Sequence, residues 1–366
     1  WRVAGFIAFV AMALVAAGCS GAERPTLIDQ GAAVGTAGAD SADRDVDRSV
    51  DDEAAGGAST TSAASSTVTS TGSPASTSTT AAPGETSAPP DSTGPAPPGV
   101  GAVLSPRGVL VRVTGEVDDG YLVESPCGSP VVIPWGQPVG PIRVVIDPGH
   151  GGDEEGAVAE SGLTEAAINL DLARHTAAEL ARRSIAVILT RNDDYRIPIS
   201  RRAALADAIG PDIFISIHHN TPASAPSPIP GTEVFVQSSS EESRRLGGLL
   251  YESVVAELSQ FDIEWTARTD AGVLTVLDDS GDDAYGIARY PTTPSALVEM
   301  AYLGNPKEAA LLATGEYLDV AAAALADGIE RYLLTTDTGS GFVDAPRIFN
   351  PSGDTGGTDG CVDPEL

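Results

Sequence analysis

Between Ile142 and about Leu334 short apolar runs alternate with longer stretches whose apolar residues recur at helical spacing. No other feature limits the fold as strongly. Runs of Val, Ile and Leu four to six residues long read as buried strands, and ten to twenty residues with a 3.6-residue period read as helices. Arg143 to Ile146, Ile185 to Leu189, Asp212 to Ile217, Glu233 to Val236, Gly272 to Leu277 and Ala296 to Glu299 are the strands. The first helix begins near Glu165 with Thr164 as its cap, and Ala166, Leu170, Ala173, Ala177 and Leu180 form its apolar stripe. Ser200 to Ile209, Glu241 to Leu258 and Pro306 to Leu334 are the others. Alternation of this kind predicts an α/β fold with a twisted, mostly parallel central sheet flanked by helices. Short β pieces at Val109 to Val113, Tyr121 to Glu124 and Val131 to Pro134 place a small β element, residues 101–141, ahead of it.

The remainder of the 366 residues divides by composition. Residues 1–19 read as a signal segment: Arg2 precedes an apolar stretch from Val3 to Ala17, short for a stable membrane span. It ends in Ala16-Ala17-Gly18-Cys19-Ser20, which resembles the bacterial lipoprotein cleavage box, with Cys19 the lipidated residue and Ala16 in place of the usual leucine. An ordinary secretory signal is the plainer alternative. Either predicts an exported protein of the cell envelope. Residues 20–100 are rich in Ser, Thr, Ala, Pro and Gly and carry almost no aliphatic residues, so they predict a disordered tether. Residues 335–366, rich in Gly, Asp and Pro, predict an irregular tail. In an oxidising compartment Cys127 and Cys361 are either a disulfide or two separate thiols. With 21 basic against 51 acidic residues the net charge is −30, which excludes a nucleic-acid partner.

The first strand ends in Asp147-Pro148-Gly149-His150-Gly151-Gly152, a sharp exit carrying a histidine at the strand's carboxyl end, where open α/β sheets gather their sites. Asp147 either orients that imidazole or caps the turn. Glu165, in a first helical turn, is either a dipole-matched acid or a metal ligand brought close by the preceding loop. His218 and His219 end a strand, so they face opposite ways and one of them is available as a ligand; the plain reading of His219 is a partly exposed neighbour. Asn220 follows as a candidate for hydrogen bonding a substrate amide. Glu299 closes an apolar strand, where a carboxylate needs a partner. Two imidazoles and one carboxylate form a set that holds catalytic zinc with one position open, and a further glutamate then serves as the base.

The segments Ile146 to Gly152, Ser216-Ile217-His218-His219-Asn220, Pro294 to Glu299 and Leu303-Gly304-Asn305-Pro306, with the Glu165 helix between the first two, resemble in order the zinc-dependent N-acetylmuramoyl-L-alanine amidases of the amidase-3 family. The resemblance spans about Arg143 to Leu334. It implies a phosphorylase/hydrolase-like fold for residues 142–334, one zinc per chain held by His150, Glu165 and His218, and Glu299 as catalytic carboxylate. It implies peptidoglycan as substrate, cut between N-acetylmuramic acid and L-alanine. Membrane contact would come only through a lipid on Cys19, and any protein activator is unspecified. His219 replaces a residue that is small in the family, Met300-Ala301 replaces the commoner Thr-Gly, and Asp278 to Ala288 is an extra acidic loop without a long plugging helix. Another zinc peptidase or deacylase of the cell wall, or a non-catalytic wall-binding lipoprotein, are the competing readings.

Overall fold

The computed structural model describes residues 99–221, 225–351 and 356–366. The signal segment with Cys19, and the tether up to residue 98, lie outside the described residues.

The chain first forms β1 (Ala102–Leu104), β2 (Leu110–Val117), β3 (Gly120–Glu124), β4 (Pro130–Ile133) and β5 (Gln137–Pro138). These pair antiparallel as one five-stranded sheet in the order β4-β3-β2-β1-β5. Next come β6 (Val144–Pro148), α1 (Glu165–Arg182), β7 (Val187–Leu189), α2 (Ile199–Ile209), β8 (Ile213–Asn220), β9 (Ala225–Ser227) and β10 (Glu233–Val236). They are followed by α3 (Glu241–Leu258), β11 (Trp265–Ala267), β12 (Val273–Leu274), β13 (Val276–Leu277), α4 (Gly286–Arg289), β14 (Ser295–Tyr302), α5 (Pro306–Leu312), α6 (Gly315–Leu334) and β15 (Arg347–Ile348).

The main sheet runs β12-β10-β14-β8-β6-β7 and is mixed: β10 lies antiparallel to β14, and the other neighbours are parallel. Side-chain alternation sorts its residues onto two faces. Ile146, Ile215, Val298 and Val234 share one core with Leu172 of α1, Leu250 of α3 and Leu325 of α6. Val145, Phe214, Leu297 and Phe235 point the other way, into a core shared with Leu205 of α2, Ile287 of α4 and Ala102, Leu104 and Leu110 of the small sheet. The small sheet is therefore built onto the larger α/β fold. Its outer core also takes in Tyr195 and Ile197 from the loop before α2.

Two expectations change. The predicted helix from Pro306 to Leu334 breaks at Ala313, because the Thr314 hydroxyl accepts from Tyr317 N and starts a new helix at 83° to the first. The predicted strand from Gly272 to Leu277 splits at Thr275: β12 stays with β10, while β13 turns to pair with β15. The described residues of the tail from residue 335 are mostly without regular secondary structure, as expected, yet they are anchored to the rest of the fold. Besides forming β15, the tail is tied down by the Cys127–Cys361 disulfide, with Cα atoms 5.7 Å apart. Asp363 accepts from Ser125 Oγ at 2.8 Å and Cys127 N at 2.7 Å, and Arg196 donates to the carbonyls of Gly357 and Asp359.

Candidate active site

The face that carries Val145, Phe214, Leu297 and Phe235 also carries, at the next positions of the same alternation, Asp147, Ser216, His218, Glu299 and Glu233. Register lines several of them up: His218 is paired across the strands with Glu299, and Glu299 with Glu233. A β-bulge between Glu299 and Tyr302 ends this alignment. One polar row thus crosses β8, β14 and β10.

The loop leaving β6 brings in His150, and the start of α1 brings in Glu165. His150 Nε2 lies 3.2 Å from Glu165 Oε1, and His218 Nδ1 lies 2.9 Å from the same oxygen. The imidazoles meet edge to face with centroids 4.9 Å apart. One donor atom from each of the three residues lies within 4.8 Å of the others. Glycine makes the approach possible at two places. A Cβ on Gly149 would sit 2.2 Å from His218 Cε1, and one on Gly156, at φ +70°, would sit 2.6 Å from Glu165 Oε2.

His150 itself has φ +61°, an uncommon conformation for a side-chain-bearing residue. Two buried arginines hold it there. Arg202 donates to the carbonyls of Pro148 at 2.7 Å, His150 at 2.8 Å and Ile197 at 2.6 Å. Arg191 donates to the carbonyls of Pro148 at 3.0 Å, Gly149 at 2.9 Å and Ala166 at 2.8 Å. Burial, with Arg202 nearby, draws the Arg191 guanidinium down to about 10. Neither arginine was singled out in the sequence. The one local signal is for Arg191, a cation two positions past the apolar run Val187-Ile188-Leu189.

Asp147 does not touch the imidazole, contrary to the orienting role considered for it. Buried beneath the loop, its carboxylate accepts from Thr190 Oγ1 at 2.6 Å, Ser216 Oγ at 2.7 Å and Arg202 at 2.8 Å. Burial alone would raise its pKa, but Arg202 and the two hydroxyls outweigh that and lower it. It anchors Arg202, and Arg202 shapes the loop.

His219 is also corrected: it is buried, not partly exposed. It faces α1 and α6, with Nδ1 2.7 Å from Asn169 Oδ1 and Nε2 2.8 Å from Tyr317 Oη. Burial pulls it down to about 3, so it is neutral. Its backbone N–H donates to Glu165 Oε1 at 3.1 Å, and Ala157 N donates to Oε2 at 2.9 Å. Asn220 lines the cavity, but its amide donates to Glu233 Oε2 at 2.6 Å.

Burial and close opposite or like charges shift the titratable groups of this cluster. Burial disfavours charge on His150, yet the carboxylates of Glu154 and Glu165 raise it to about 9. Its Nδ1, 3.7 Å from Glu154 Oε1, has no hydrogen-bond partner. Burial lowers the His218 pKa. Glu165 is held well below the usual carboxylate range despite its burial, by hydrogen bonds and attraction from both histidines. Glu299 is pushed well above that range by burial and by the charges of Glu165 and Glu233, and its Oε2 is buried without a hydrogen-bond partner. The donor types, their convergence and this orphaned oxygen fit a small divalent cation with a proton-accepting carboxylate beside it.

All four residues line one cavity of about 580 Å³. Its apolar wall is a stack in which Phe235 meets Tyr285 at 5.0 Å and Tyr285 meets Phe349 of the tail at 5.5 Å. The acidic loop Asp278 to Ala288 supplies Tyr285, Gly286 and Ile287 to that wall. Its acid closes its own turn, since Asp278 accepts from the backbone N–H groups of Ser280 and Asp282 and pairs with Arg289. Only the four-residue α4 is helical there.

A family model described as N-acetylmuramoyl-L-alanine amidase matches residues 144–331, and the chain belongs to that family. The uncharacterized protein YqiI of Bacillus subtilis is 34% identical over 212 residues, covering 56% of this chain and 94% of its own. The N-acetylmuramoyl-L-alanine amidase AmiC of Neisseria meningitidis is 30% identical over 220 residues. That match covers 53% of each protein, so the chain spans about half the length of that relative. Among solved structures, N-acetylmuramoyl-L-alanine amidase AmiC2 of Nostoc punctiforme is 29% identical, over 53% of this chain and 98% of its own, with a TM-score of 0.45.

Proposed function

We propose that this member of the amidase family hydrolyses the amide joining the lactyl group of N-acetylmuramic acid to the first L-alanine of the peptidoglycan stem. The observation that carries the proposal is the convergence of His150, Glu165 and His218 within 4.8 Å, in the same cavity as a buried, unpartnered Glu299. Those three residues would hold one zinc ion, which supplies Lewis acidity to the scissile carbonyl and acidifies a water. Glu299 accepts the proton of the attacking water and delivers it to the departing amine nitrogen as the C–N bond breaks. Asp147, Arg191 and Arg202 fix the backbone that presents His150, and Glu233 keeps the Asn220 amide in place.

The test is Glu299→Gln. It should retain the bound metal and lose roughly 10²- to 10⁴-fold in kcat, the usual range for a positioned proton-transfer group. Mass analysis of defined muropeptides supplies the second arm. Release of intact stem peptides supports this bond, and release of other fragments would point to a peptidase or deacylase. Full activity in the glutamine variant would remove Glu299 from the mechanism. Metal-loaded protein that binds peptidoglycan and never cleaves it would support the wall-binding alternative. We further propose that residues 1–19 direct export, that Cys19 carries a lipid and that residues 20–100 space the enzyme from the membrane. Loss of membrane association in Cys19→Ala is the expected outcome, and unchanged fractionation would rule out the anchor.

A further inference from the structure

The cavity wall contains five carboxylates, from Asp147, Glu154, Glu165, Glu233 and Glu299, and three guanidinium groups, from Arg202, Arg268 and Arg347. Two of the arginines are committed. Arg202 is spent on Asp147 and the carbonyls of the His150 loop. Arg347 pairs with Glu233 and, at 2.9 Å, with Asp270. Arg268 differs: it is exposed, it forms no ion pair among the described residues, and its side-chain neighbour is the Tyr302 hydroxyl. It directly follows β11 and opens a turn closed by Ala271 N donating to its carbonyl at 3.2 Å. Its charge is felt by Glu299, whose rise burial and the two glutamates produce and Arg268 opposes.

A guanidinium fork without a carboxylate partner, in a concave site, matches a carboxylate or a phosphate, either of which it can hold by two parallel N–H···O bonds. The substrate of the reading above makes the need specific. The lactyl carboxyl of the sugar is consumed in the scissile amide, so the free carboxylates near that bond belong to the peptide. A cavity with this many acidic groups, in a chain of net charge −30, repels such a peptide unless a local cation receives it. We propose that Arg268 is a specificity-determining residue that receives a carboxylate on the peptide side of the amide. This inference rests on the amidase reading.

The experiment uses two muramoyl peptides identical except that the carboxylate of the second residue is free in one and amidated in the other. Wild type, R268Q and R268K are assayed metal-loaded, with metal content measured in each. The expected wild-type preference for the free acid is roughly 10- to 100-fold in kcat/KM, carried mostly by KM, as for one charge-assisted hydrogen bond. In R268Q the two rates converge, and R268K keeps part of the preference. Salt erodes the preference in wild type and has no such effect in R268Q. Persistence of the preference in R268Q would overturn the assignment, as would an equal loss on both substrates, which marks a structural role or one exerted through Glu299. Wild-type protein that releases peptide from neither substrate would overturn the amidase reading and this inference with it.

Discussion

Replacing Cys127 and Cys361 by serine is the perturbation whose size the structure defines best. The two cysteines are 234 residues apart, so the bond closes nearly the whole described fold into one loop. For a loop of that length the chain-entropy relation gives about 18 cal/mol/K, or roughly 5 kcal/mol at 25 °C. Other contacts remain in the variant. Asp363 still accepts from Ser125, and Arg196 still holds the carbonyls of Gly357 and Asp359. The Arg107–Glu365 pair, 3.0 Å apart and well exposed, adds little. The expected destabilisation is therefore about 2–5 kcal/mol, near 10 °C in melting temperature for a unit of this size. Calorimetry of metal-loaded wild type and of the double-serine variant, each with and without reductant, measures it. Reductant should lower the wild-type midpoint to that of the variant and leave the variant unmoved. KM should rise as well, because Arg347, Ile348 and Phe349 line the cavity from the tail that the bond secures. A variant within about 1 °C of wild type would refute the reasoning, since a loop this long cannot be released so cheaply unless native contacts alone hold the tail.

Three further outcomes follow from the loop beneath the site. Arg202→Met removes the cation from the buried Asp147 carboxylate and leaves the His150 and Ile197 carbonyls unpaired, while Pro148 keeps Arg191, so denaturant unfolding should show a loss of about 3–5 kcal/mol. Asp147 also sets a pH dependence. Its folded pKa is lowered, so its contribution is present above its unfolded value of about 3.9 and lost as pH falls through the folded value. Below pH about 4 wild type should therefore lose stability more steeply than Asp147→Asn, and equal slopes would contradict the assignment. Gly149→Ala places a methyl against the His218 ring, and zinc competition titrations should report roughly 10- to 100-fold weaker binding, as when ligand-orienting contacts are lost. Unchanged affinity would mean that the ring moves aside freely.

What could be read along the chain was local. The bounds of β10 and α3, and the cap at Thr164, follow from periodicity and end chemistry within a few residues. His150, Glu165, His218 and Glu299 stood out because each is a polar interruption at the edge of an apolar element. What stayed hidden depends on residues far apart. Arg202 and Pro148 are 54 positions apart and Arg191 and Gly149 are 42 apart, so no spacing rule joins them. Asp147 was misjudged for the same reason, since its partners come from three other elements. The tail was read as irregular because Gly, Asp and Pro predominate there. Its anchoring comes from a parallel pairing with β13 and from a bond to a cysteine more than 200 residues earlier.

That late wall also sets an order of events. Every group assigned to the chemistry, from His150 to Glu299, precedes Arg347 in the chain, and the bond that secures the tail requires Cys361 in an oxidising space. A chain passing N-terminus first through an export channel would hold its catalytic groups before its cleft is finished. The final shape would then be acquired only outside the reducing cytoplasm, making geography the maturation signal. Protein made and kept reduced should turn over wall fragments with a higher KM than the same protein after oxidation, with an equal metal content.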